Sequence, residues 1–93
     1  MADNDKIIVT VYGVDKVGIV AKIANVFSDY GVNIEDIKQT LMQGHFVMFM
    51  LCDISKSTYS FKEIKDALLK TGDELKMEVW VQRKEIFDNM HNV

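Results

Sequence analysis

Gly13-Val14-Asp15-Lys16-Val17-Gly18 is the stretch of this chain whose residue types are best suited to hold a ligand. Two glycines that close an extended run and open a helical one leave bare backbone N–H groups at the positive end of a helix, where a carboxylate can be held. The same residues also admit a structural reading, in which Gly18 lets strand and helix approach closely and Asp15 caps the helix. The phosphate-cradling spacing of a Walker loop or a dinucleotide fingerprint is missing.

Other reactive side chains do not converge. His45 and His91 are far apart in sequence and read as surface residues, and neither His-x-x-x-His nor Cys-x-x-Cys spacing occurs. Cys52 lies inside an apolar run, where burial raises a thiol's pKa and makes it inert. Met42, Met48 and Met50 fall at even spacing and read as core filling, although methionine can also mark an adaptable contact surface. Glu35 and Asp36 are adjacent on an edge strand, so their side chains point to opposite faces; both are expected to be solvated rather than to work as an acid/base pair. No catalytic residue, metal site or cofactor is expected, and the chain reads as a non-enzyme.

The elements that position the glycine turn belong to one domain, because 93 residues scarcely fill a single core. Apolar residues at 48% and charged residues at 27% suit a folded chain rather than a disordered one. A net charge of −3, with the 11 basic residues scattered, argues against nucleic acid. One cysteine suits a reducing compartment, and the cytoplasm is expected. The acidic, polar start Met1-Ala2-Asp3-Asn4-Asp5-Lys6 does not read as a signal peptide, and no run nears the ~18 apolar residues of a membrane span.

Ile7 to Tyr12 reads as a strand with its turn at Gly13, and Val17 to Tyr30 as a helix with Ile19, Ile23, Val26, Phe27 and Tyr30 on one face and Gly31 as C-cap. Val32 to Met42 and His45 to Ile54 read as strands joined by Gln43-Gly44, a pair able to take positive φ. Ser60 and Glu63 form a capping box opening a second helix that stops at Gly72. Leu75, Met77, Val79 and Val81 alternate with polar residues as a fourth strand, and residues 83–91, with Ile86, Phe87 and Met90 on one side, read as a short tail helix. The order predicts an α+β ferredoxin-like βαββαβ sandwich: a four-stranded antiparallel sheet, two helices on one face, and strands one and three in the middle. Those two strands are apolar on both faces, as central strands should be. Two helices cover only one face, so a second copy or the tail is expected to cover the other face or the sheet edge.

From Gly13 through Ala21, and again at Tyr30-Gly31-Val32-Asn33-Ile34, the sequence resembles the signature of the ACT domain family. In that family Gly-x-Asp-basic-x-Gly closes the first strand and Gly-x-Asn-Ile opens the second. The resemblance spans almost the whole chain, with residues 6–82 as its core, and is nearest to stand-alone members related to the glycine-cleavage repressor. It implies a cytoplasmic homodimer that binds an amino acid or related metabolite where two copies meet and acts on a partner protein. By position, Val14, Asp15, Lys16, Val17, Gly18, Ile19 and Val20 would line one side of the ligand, with Asn33 and Ile34 reaching it across the interface. Val17 stands where many relatives carry proline, which loosens the turn. A dimeric interaction module with no physiological small ligand is the alternative; neither reading involves nucleic acid or a membrane.

Overall fold

Alternating β-branched and polar residues, punctuated by three glycines at positive φ, give seven elements. They are β1 (Lys6–Val14), α1 (Ile19–Tyr30), β2 (Asn33–Met42), β3 (His45–Asp53), α2 (Phe61–Leu75), β4 (Glu78–Arg83) and α3 (Lys84–His91). The computed structural model describes residues 5–14 and 17–91, apart from the side chains of Met42, Met90 and His91. The strands form one antiparallel sheet in the order β2-β3-β1-β4, with the two dry strands central as expected.

One face of this sheet carries the core. Ile7, Val9 and Val11 of β1 and Met48, Met50 and Cys52 of β3 pack against Ile23 and Phe27 of α1 and Ile64 and Leu68 of α2, all fully or almost fully buried. Burial, and secondarily the charge of Glu35, pushes the Cys52 thiol up to about 12, so it stays a neutral packing group. On the other face α3 lies against β1 and β4 and sets Phe87 near Ile8 and Thr10. The tail helix thus covers part, but only part, of the second face.

Local signals gave three of the joints correctly. Gly31 is left-handed at φ 69°, and the Val32 N–H reaches back to the Phe27 carbonyl at 2.8 Å. That bond commits Val32 to the helix end, so β2 begins one residue later than the expected Val32. Gln43 and Gly44 both take positive φ in the hairpin turn. The Ser60 hydroxyl accepts from the Glu63 N–H at 3.1 Å while the Glu63 carboxylate accepts from the Ser60 N–H at 2.8 Å, completing the capping box.

Several expectations are corrected. β1 does not stop at Tyr12 but runs through Gly13 to Val14, because Val14 still pairs with His45. Helix α1 starts at Ile19 rather than Val17, which lies fully exposed in the turn. Gly72 does not end α2: the helix continues to Leu75 and is closed by Lys76 in a left-handed conformation, so Leu75 belongs to the helix and the strand begins at Glu78. Gly72 serves a tertiary contact instead, since a Cβ there would lie 2.5 Å from Val79 Cγ2 and 3.1 Å from the Met77 carbonyl oxygen. Glu35 is not merely solvated. A bulge between Ile34 and Asp36 breaks the alternation of β2, and Glu35 forms an ion pair with Lys6, whose ammonium also lies 3.5 Å from Asp53.

Two outcomes follow from these contacts. Alanine favours a helix over glycine by ~1 kcal/mol, but overpacking against a stiff valine and a backbone carbonyl costs about 1–3 kcal/mol; Gly72→Ala should therefore lower the urea midpoint. A Cβ at Gly13 meets only the flexible Met77 thioether, at 2.5 Å, so Gly13→Ala should cost less. An unchanged midpoint for Gly72→Ala would show that β4 yields freely.

Hydrogen bonds from Ser55, and then the Lys6 charge, hold the Asp53 carboxyl below its usual range. A folded pKa below the unfolded one adds stability that is complete above about pH 4 and is lost as the pH falls through the lowered value. Asp53→Asn should thus be less stable than the parent at neutral pH, with the gap between their urea midpoints closing in acid. A gap constant with pH would refute the assignment.

Candidate functional site

The turn between β1 and α1 is built by the end of a central strand and the start of a buried helix. Ile19, 2% exposed, anchors the first turn of α1 in the core and so fixes where the helix begins. Gly18 occupies the N-cap at φ 87° and ψ 0°, a conformation that a Cβ makes costly. Among the described residues other than its chain neighbours, no atom lies within 4 Å of where that Cβ would be, so the backbone angle is what requires glycine there.

Among the described residues no side chain caps α1, and its first turn contains no acidic residue. The first N–H groups of the helix thus have no side-chain partner among the described residues, at the end where the helix favours negative charge. Around it Val14, Val17 and Val20 are all exposed, Val17 completely. Asp15 and Lys16, the remaining members of the expected site, lie outside the described residues, so the reading of Asp15 as a cap rests on the sequence alone. The structure brings Val14, Val17, Gly18, Ile19 and Val20 together at one end of the sheet.

Asn33 and Ile34 are at the opposite end. Val14 pairs with His45 at one end of the β1–β3 ladder, whereas Lys6 pairs with Asp53, and Asp53 with Asn33, at the other. Eight strand positions separate those ends, roughly 27 Å at the rise of an antiparallel strand. Asn33 is exposed and borders a cleft of about 350 Å³ with Gly31, Asp53, Ser55 and Lys56; Ile34 is half-buried beside the core. Within one copy the two halves of the expected site do not meet.

Sequence reasoning missed the neighbours of Val14. A cleft of about 410 Å³ beside it is lined by Gly13, His45, Asp73 and Lys76 among others, with the His45 ring stacked on Tyr12 at 5.7 Å. Asp73 and Lys76 come from the end of α2, which tertiary packing brings to this corner, so no local signal marked them. The cleft is lined by charged groups of both signs, Lys76 against Asp73 and Glu78, beside the exposed His45. Among the described residues no cluster of His, Cys, Asp or Glu could hold a metal ion, and no helix is long and apolar enough to cross a membrane.

Comparison with known proteins bears on the family and the fold. A UPF0237 protein of Listeria innocua is 45% identical over 86 residues, which cover 92% of this chain and 97% of the relative. Among solved structures, an ACT domain protein from Streptococcus pneumoniae superposes with a TM-score of 0.77 at 32% identity, covering 89% of this chain and 93% of that one. A candidate glycine cleavage system transcriptional repressor shares the fold, with a TM-score of 0.74 at 22% identity over 84% of this chain and 44% of its own. The family model for the ACT domain matches residues 5–82, from the start of β1 almost to the end of β4, and the chain belongs to the ACT domain family.

Proposed function

We propose that the chain is a regulatory module of the cytoplasm that binds an amino acid or a related small carboxylate as a homodimer and acts on a partner protein. The observation that carries this reading is the start of α1: a left-handed Gly18 at the N-cap of a helix end that no described side chain caps. The α-carboxylate accepts hydrogen bonds from the first N–H groups of α1, favoured by the positive end of the helix. Asp15 and Lys16 belong to the proposed site by their place in the family motif.

The ~27 Å between this turn and Asn33 supports a dimer, since only a second copy can bring Asn33 and Ile34 to the ligand. Asn33 offers both a donor and an acceptor, which suits the ammonium or the carboxylate of an amino acid. A second reading, a dimeric interaction module without a small ligand, is favoured by the exposed Val14, Val17 and Val20, an apolar patch that a protein surface could equally cover.

Thermal shift with each standard amino acid separates the two readings, because a ligand that binds the folded state raises Tm. A rise with one or a few supports sensing, and uniform silence supports the rival. Asn33 is exposed, so Asn33→Leu should leave the fold intact while weakening a ligand found in this way by on the order of 1–3 kcal/mol. Unchanged affinity would place the site elsewhere. Light scattering should give twice the monomer mass at micromolar concentration; a monomer would defeat both readings.

A further inference from the structure

The sheet face opposite α1 and α2 carries an aromatic notch that stands apart from the β1–α1 turn. Phe49 of β3, Thr10 of β1 and Trp80 of β4 stand in one row across three strands. With strands ~4.8 Å apart, the two aromatic side chains rise about 10 Å from each other on either side of a small threonine. Two positions along, Tyr12 stands opposite Glu78, and Phe87 of α3 also borders the notch. Together they enclose about 500 Å³, within the range of small-molecule sites.

Three features narrow the occupant. Trp80 is 60% exposed, Tyr12 46% and Phe49 41%, so three aromatic walls are wet where such side chains are normally covered. A helix roughly 10 Å across stands on this same face, so over that end a second copy's sheet cannot lie flat at the ~10 Å spacing of packed sheets. The occupant must therefore be slender enough to enter above Thr10. Glu78 is the one charged residue lining the notch among the described residues, and Lys38 sits beyond the Phe49 wall, next in the row. A carboxylate beside electron-rich ring faces selects a cation.

We propose that this notch binds a small arylalkylammonium. Its ring lies between Phe49 and Trp80 over Thr10, and its ammonium meets the Glu78 carboxylate. Stacked rings sit 4.5–7 Å apart between centroids, so walls about 10 Å apart admit one planar group. Glu78 is two residues from Trp80, about 7 Å along β4, a span that a two-carbon chain and the glutamate side chain bridge.

Trp80 is the single tryptophan of the chain, so its emission reports on the notch directly. In titrations of the full chain, 2-phenylethylammonium should change that emission saturably. The neutral 2-phenylethanol should bind about tenfold more weakly, and 3-phenylpropionate more weakly still. Glu78→Gln should abolish the preference for the cation while retaining the alcohol, and Phe49→Ala should weaken all three probes with the circular dichroism unchanged. Equal binding of cation and alcohol, a preference that survives Glu78→Gln, or no saturable change would overturn the proposal. So would an emission that shifts with protein concentration alone, which would assign the face to a second copy.

Discussion

The antiparallel ladder between β1 and β3, running pair by pair from Lys6–Asp53 to Val14–His45, is the constraint on which the rest of the molecule depends. It joins segments distant in sequence and makes both strands central. Ile7, Val9 and Val11 therefore share one buried layer with Met48, Met50 and Cys52. A slip of one residue would turn that layer outward and expose the residues on which α1 and α2 rest. The register also decides where each end of β1 emerges, and hence where the helix-opening turn and the start of β2 lie.

That geometry shapes the functional surface. The motif residues of the β1–α1 turn and those of the Gly31–Ile34 junction look like parts of one site in sequence, but the ladder holds them at opposite ends of the sheet. α1 starts at one end and delivers the chain to the other, so no rearrangement of loops within a single copy joins them. A site that uses both halves is by construction a site between copies.

The second helix shows how a single contact redirects sequence logic. At Gly72 the backbone of α2 passes so close to Val79 that no Cβ fits, and this approach brings Asp73 and Lys76 to the corner occupied by Val14 and His45. The following strand, β4, places Trp80 on the sheet face away from the helices. α3 then turns back over that face and leaves an aromatic notch beside it.

The sequence by itself determined whatever depends on neighbours a few residues apart. β-branched and apolar runs gave β1, β2 and β3, period two gave a fourth strand that it began too early at Leu75, the i, i+4 spacing of Ile19, Ile23 and Phe27 gave the face of α1, and the Ser60–Glu63 box, Gly31 and Gln43-Gly44 gave three of the joints. Strands apolar on both faces even gave their central place in the sheet. Only the tertiary structure decided matters set by residues distant in the chain. Gly72 reads as a stop until Val79 stands beside it. Glu35 reads as solvated until the bulge turns it to Lys6. Gly18 shows its need for glycine only in its φ of 87°. Periodicity and capping act within one turn or one strand, whereas close approach, ion pairing and the separation of two motif segments are set by how the sheet is assembled.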